Sequence, residues 1–325
     1  MTYKNKNLGA FIVPTGIGAS IGGYAGDASP YARKFAKNNL LIVNPNVVNA
    51  GGFSGITDSM LYVEGYTLDS FFKGEISLIP SNNNKIGIIY DRSIPKDVVN
   101  VHINTQNAIK AVYGVDIHKF VTTEENVGVE FYLTESGISV GSVTNITTLE
   151  LSAKKLIDHG CDAIAIVCLF EESESQNADY SSGIGVDPVG GVEAIISHDI
   201  SKVFNVPCAH SPAFRDYNIY PEIVNPKSSS EYITPTFLPC ILLGLSQAPK
   251  ISPNPKDGIN ISDLDFLVMP YNSLGSTPVF EAVKRGIKVY AVKENQTELS
   301  IDKNILKSNN SIIEVDTYDD VLSLI

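Results

Sequence analysis

The sequence is poor in positive charge: 24 lysines and arginines stand against 36 aspartates and glutamates, for a formal net charge of −12. No basic cluster stands out, so the chain lacks the cationic face that neutralising a nucleic-acid backbone requires, and nucleic acid is excluded as a partner. The same deficit disfavours anionic membrane surfaces. Hydrophobic runs are short: none reaches the ~20 residues needed to span a bilayer. The opening MTYKNKNLGA passes straight into a strand-like run, with no signal peptide expected. Cysteine is scarce, at Cys161, Cys168, Cys208 and Cys240 with no CxxC spacing, and a cytoplasmic protein with reduced thiols is expected. The five histidines lack HExxH or any other compact ligand spacing, so no metal site is read.

What is present is ample core material. At 325 residues, 43% hydrophobic and 18% charged, the chain exceeds the usual size of a single core, and two lobes are expected. Buried apolar runs at 9–14, 40–43, 86–90, 162–169, 206–208, 264–270 and 287–292 alternate with helix signals. This alternation predicts a doubly wound α/β fold, with mostly parallel sheets in two Rossmann-like lobes and a crevice between them. The polar SNNNK stretch at 81–85 marks a lobe boundary. Residues 1–80 with 235–325 are assigned to the first lobe, and 81–234 to the second.

The chain is organised around residues 181–214. Asp187 and Pro188 read as the N-cap and first position of a helix. Val192, Ile195, Ile196, Ile200 and Val203 form its apolar stripe, and it ends near Asn205. Residues 206–208 then read as a short strand that ends in the loop Ala209 to Pro212. Ligand crevices open at the carboxyl ends of parallel strands, which makes Cys208 and His210 the leading catalytic candidates. In an extended segment i and i+2 share a face, and an imidazole lowers a nearby thiol's pKa and can carry its proton. Cys168, near the end of 162–169, is expected to face Cys208 across the crevice. His198 on the helix and Glu130, a lone acid in VGVE expected to face outward, complete the catalytic candidates. Glu193 and His198 lie five residues apart, about 140° around the helix, and are not expected to act on one atom.

Anion binding is assigned to small-residue loops. Gly16, Gly18 and Gly22 follow a strand, but the helix capped by Asp27 or Ser29 starts well beyond them. The second strand also ends in Asn44 and Asn46, not in a ribose-binding carboxylate, which argues against a dinucleotide. A nest of backbone amides at Thr15, Gly16, Gly18, Ser20, Gly22 and Gly23, with Asp27 and Asn46, is expected instead. Asp187, Gly190 and Gly191 add a helix start, and Arg215 opens a proline-punctuated lid. VMPYNSLGS can be laid over IVPTGIGAS, so Asn272, Ser273 and Ser276, with Glu294 and Asn295, are expected to form an equivalent half-site. Further helices are expected to be capped by Thr67, by Thr147 with Glu150, and by Thr277.

At IVPTGIGASIGGYAGDASPYAR, NPNVVNAG, LYVEGYTLD, VGVE, GVDPVGGVEAIISH, PCAHSPA and ENQT, nearly the whole chain in order, the sequence resembles the domain of unknown function 3326 family of bacterial and plastid proteins. The resemblance implies that Asp27, Glu64, Glu130, Asp187, Glu193, His198, Cys208, His210, Glu294 and Asn295 stand at family-pattern positions. It implies no reaction. Where the family has a small-Cys-Gly-Gly loop, this chain has Tyr271-Asn272-Ser273-Leu274-Gly275. That loop also looks like the Pro-Cys-Asn-Ser/Thr strand end of the aspartate/glutamate racemase group, with tyrosine in place of the thiol.

The expected function is a cofactor-independent enzyme acting on a small carboxylate-bearing metabolite by thiol and imidazole acid–base or nucleophilic chemistry, of isomerase, lyase or hydrolase type. A phosphate- or nucleotide-binding transferase or ligase is the alternative, weakened because no P-loop lysine follows the glycines. A non-catalytic metabolite-binding protein is the third reading. No cofactor is predicted, with nucleotide and metal left open, and a homo-oligomer is expected.

Overall fold

The computed structural model describes residues 6–170, 180–215, 217, 219, 221–306 and 310–325. Ten strands build two parallel sheets: β1 (Leu8–Phe11), β2 (Leu40–Val43), β3 (Met60–Tyr62), β4 (Ile86–Tyr90), β5 (Ile117–Thr122), β6 (Ala163–Leu169), β7 (Cys208–Ala213), β8 (Phe266–Pro270), β9 (Lys288–Val292) and β10 (Ile312–Val315). The larger sheet has the order β10-β9-β8-β1-β2-β3, and the smaller one β7-β6-β4-β5. Parallel strands covered by helices on both faces read as continuous apolar runs, and β1, β2, β4, β6 and β8 are buried at every position. The fold is Rossmann-like α/β.

The helices that shape the site are α1 (Ser29–Ala36), α2 (Gly65–Lys73), α3 (Lys96–Tyr113), α4 (Ile146–Asp158), α5 (Gly190–Phe204), α6 (Leu238–Ser246) and α7 (Thr277–Lys284). The apolar α6 ties the sheets together. Its Leu238, Ile241, Leu242 and Leu245 share one buried cluster with Phe11 and Val43 of the larger sheet and Ile88, Tyr90 and Val167 of the smaller. Gly244 in α6 is required by close approach, because a Cβ there would lie 2.6 Å from the ring of Tyr62. The outer faces are covered separately, by α2 and α7 on the larger sheet and by α4 and α5 on the smaller. An antiparallel hairpin, Val129–Leu133 with Ser139–Val143, packs on α5.

Several element boundaries differ from the sequence expectation. The strand read at 206–208 runs from Cys208 to Ala213, because burial at all six positions overrides the loop propensity of His-Ser-Pro. Proline is accepted at 212 because β7 is the edge strand of its sheet. The cap of α2 is Glu64, not Thr67: its carboxylate accepts the Tyr66 amide at 2.8 Å and the Thr67 amide at 2.7 Å. No capping box forms at Thr147, since α4 starts at Ile146 and the hydroxyl of Thr148 accepts the Glu125 amide instead.

Candidate functional site

The carboxyl ends of β1, β2 and β3 face the edge of the smaller sheet across a cavity of about 810 Å³. Thr15 follows β1, Asn44 and Asn46 follow β2, and Glu64 follows β3. Ser276 stands at the start of α7. From the other side come His210 and Pro212 of β7, with Asp187, Glu193, Ser197 and His198 from α5 and the turn before it. Packing of α2 against α5 closes one end, where Glu64 Oε2 lies 3.5 Å from His198 Nε2. A third wall comes from Tyr180, Glu231 and Tyr232, which lie outside both sheets.

The electrostatics are one-sided. Five carboxylates line the cavity, those of Glu64, Asp69, Asp187, Glu193 and Glu231, and no lysine or arginine is among the described lining residues. Burial pushes Glu193 up to about 8. Burial, reinforced by neighbouring acids, pushes Glu231 up to about 8 and Asp187 up to about 7. Hydrogen bonds hold both of these in place. Asp187 accepts the Val189 amide at 3.0 Å ahead of α5, and Glu231 accepts the Ala25 amide at 3.2 Å and the Tyr180 hydroxyl at 3.1 Å.

His210 is 6% exposed, and its Nδ1 lies 3.2 Å from Glu193 Oε1. Burial drives the imidazole down to about 3, so burial disfavours the charged form of both partners. Burial thus favours a neutral hydrogen bond over an ion pair for this contact. The buried Nε2 of His210 has no hydrogen-bond partner among the described residues, and neither has the Ser276 hydroxyl.

The predicted thiol chemistry does not assemble. Cys208 begins β7 and does not stand at its carboxyl end; it is 1% exposed, outside the cavity lining, and burial raises its pKa well above the usual thiol value. Although 208 and 210 share a face of the strand, only His210 reaches the cavity. Cys168 is fully buried and likewise raised, and it pairs in register with Pro212, so it does not face Cys208 across a crevice. Cys240 is buried in α6 but touches the cavity. Glu130 is exposed on the hairpin and Arg215 is exposed after β7; neither lines the cavity.

Part of the expected amide nest is used by the protein itself. Ser20 donates to the Gln296 carbonyl at 2.7 Å, Ile21 to Asn295 Oδ1 at 3.0 Å, and Gly22 to Asp27 Oδ1 at 2.7 Å. Gly16 packs on Ser139, and Gly18 packs on Glu298 and Val186. Asp27, raised to about 6 by burial, lies outside the lining. Thr15, Gly23 and Asn46 do reach the cavity, although Asn46 spends its amide on the Val13 and Pro14 carbonyls at 3.3 and 3.2 Å. Gly190 lines the cavity, whereas Gly191 packs on Ser139, its amide 3.0 Å from that hydroxyl.

The second half-site does not match the first. Asn272 clamps Thr297 through the amide at 2.8 Å and the carbonyl at 2.9 Å, while Ser273 is buried on the Pro270 carbonyl. Glu294 accepts the Tyr318 amide at 2.6 Å, and Asn295 is fully buried against Ile21 and Tyr318. Only Ser276 and Pro278 reach the cavity from this side. Among the described residues, no group of three or more His, Cys, Asp or Glu side chains could hold a metal ion. No described helix is long and apolar enough to cross a membrane.

Glu231 and Tyr180, with Asp69, Ser197 and Tyr232, have no counterpart among the sequence expectations for the site. Glu231 and Tyr180 lie in polar segments with no periodicity, and nothing local marks either as buried. Glu193 carries a visible signal, an acid in the first turn of α5, but the helical angle separates it from His198; both line the cavity, which is wide enough to span that angle.

Known proteins bear on identity. The chain is 37% identical over 296 residues to an uncharacterized lipoprotein of Synechococcus sp., a match covering 89% of this chain and 82% of the relative. No solved structure matches. The similarity to the aspartate/glutamate racemase group gains no support from these comparisons. Residues 9–325 match the family described as Protein of unknown function (DUF3326), and the chain belongs to that family.

Proposed function

We propose that the protein is an enzyme that transfers protons on a small molecule held in the cavity, with Glu193, His210 and Asp187 as its acid–base groups. The observation that carries this reading is the buried Glu193–His210 pair, set in a cavity of about 810 Å³ beside a second raised carboxylate. A neutral imidazole that accepts at Nδ1 carries its proton on Nε2. Delivery of that proton to a bound molecule, with transfer of the Glu193 proton to Nδ1, leaves Glu193 ionised; the reverse transfer restores it. Asp187 at about 7 is partly ionised near neutrality and suits the role of base. Buried un-ionised thiols do not suit it, so the cysteine chemistry expected from sequence is not carried into the proposal.

The test is incubation of the protein with a mixture of small metabolites in D2O, followed by mass spectrometry. One component should gain deuterium or convert, with the effect lost in Glu193→Gln and Asp187→Asn and kept in Cys208→Ala. Persistence in Glu193→Gln, loss in Cys208→Ala, or no change in any component would overturn the reading.

A cytoplasmic location is part of the same proposal, supported by four cysteines that are all free. The relative's printed name, lipoprotein, points the other way. Cell fractionation decides: recovery of the protein in the membrane fraction contradicts the cytoplasmic placement.

A further inference from the structure

The cavity's charge selects its ligand, and here the sequence expectation of a carboxylate-bearing substrate meets five carboxylates and no described lysine or arginine. An anion entering this space would be repelled by every ionised wall group, and the Ser20, Ile21 and Gly22 amides of the glycine-rich loop are bonded internally. Tyr62, Phe131, Tyr180, Phe214 and Phe237 also line the space, and aromatic faces attract cations. The acids are spread over α2, α5, the turn before α5 and the segment holding Glu231. They do not converge as a compact metal-binding group among the described residues.

Resting on the proposed acid–base reading, we infer that the cavity binds an organic cation, an amine- or guanidinium-bearing small molecule, with its charge between Asp187 and Glu231 and its body against the aromatic walls. Such a ligand relieves the crowding of negative charge here, where Asp187 raises Glu231 and Glu193 raises both. The two acids are held from separate elements, Asp187 by the start of α5 and Glu231 by Ala25 and Tyr180. A cation between them therefore ties the third wall to the α5 side. Binding near neutrality ionises carboxyls that are partly protonated in the free protein, and so releases protons. Besides Asp187 and Glu231, the titratable groups facing the site are Glu64 and Asp69 from the cap and body of α2, His198 and Glu193 from α5, His210 from β7, and Tyr62, Tyr180, Tyr217, Tyr232 and Cys240.

Calorimetry on the full chain at pH 7.5 tests this with putrescine, agmatine and choline as cations, glutarate as a dicarboxylate of similar size, and MgCl2 alone. The organic cations should bind, with heats that differ between phosphate and Tris buffers because protons are released; glutarate and Mg2+ should not. Asp187→Asn and Glu231→Gln should each weaken cation binding by about tenfold or more. Asp158→Asn with Asp319→Asn, which removes two exposed acids, should leave it unchanged. Thermal unfolding of each variant keeps a folding defect separate from a binding defect.

Binding of glutarate or of Mg2+ alone, or equal loss in the Asp158/Asp319 variant, would overturn the inference, as would failure of all three cations. The acid–base reading fails separately. Cations that bind while the Glu193-dependent exchange in D2O is absent leave the binding site standing and remove the chemistry. Exchange without cation binding does the converse.

Discussion

His210 and Asp187 are singled out by residue type in the sequence, but their settings differ from the expectation: His210 lies inside β7, not in a loop after a strand, and Asp187 accepts the Val189 amide ahead of α5, which starts at Gly190 and not at Pro188. The partner of His210 is not legible in the sequence. Sequence proximity favours Cys208, two residues away on the same strand face, but the helix laid over β7 brings Glu193 to 3.2 Å from the ring. Contact across elements decides the pairing, and the thiol is left in the apolar layer with Ile164 and Ile196. Two substitutions separate these roles. Glu193→Gln keeps the shape and removes the transferable proton, and should lower turnover by about 10²–10⁴-fold with little change in folding. Cys208→Ser buries a hydroxyl in that apolar layer and should cost about 1–3 kcal/mol in urea unfolding, with turnover of the folded protein unchanged. Loss of turnover in Cys208→Ser at full stability would return the thiol to the chemistry.

At the level of elements, strands that are buried on both faces are legible, since continuous apolar runs admit few other readings. The helix caps are less so: Glu64 caps α2 through both carboxylate oxygens, a role that Thr67 suits better by residue type. The path of β7 through His-Ser-Pro depends on its neighbour β6, which supplies the hydrogen bonds that local propensity does not predict. The close contact of α5 with the hairpin is also a tertiary fact, and it yields a prediction. A Cβ on Gly191 would stand 2.3 Å from the Ser139 carbonyl oxygen, so Gly191→Ala must push the hairpin from the start of α5. It should destabilise the protein by about 1–3 kcal/mol in chemical denaturation. An unchanged midpoint would mean that the helix start is not held as described.

For the whole molecule, the two-sheet plan follows from the alternation of strand and helix signals, but the acidity of the cavity does not, because Glu231 and Asp187 meet only through the tertiary fold. That acidity sets the pH response. Asp187, Glu193 and Glu231 bind protons more tightly when folded than in the unfolded chain, where carboxylates titrate near 3.8 and 4.5. Stability contributed by their protonated forms is therefore lost as pH rises towards 8. His210 and His102 act oppositely, since burial lowers both, but their effect is nearly complete about one pH unit above the usual histidine value of 6.5. Between pH 7.5 and 8.5 the carboxylate effect dominates and the raised thiols add to it with the same sign, so stability, and with it Tm, should fall, each carboxylate contributing a slope no steeper than about 1.4 kcal/mol per pH unit. Glu193→Gln should flatten that fall; a Tm that rises over this range would contradict the assignment. Most direct of all is long-range ¹H–¹⁵N NMR of the His210 ring in the ligand-free protein. The expected result is a neutral imidazole from pH 5 to 8, protonated on Nε2 and accepting at Nδ1 from Glu193. An imidazolium at pH 7, with both ring nitrogens protonated, would show an ion pair in its place and remove the basis for the proposed proton transfer.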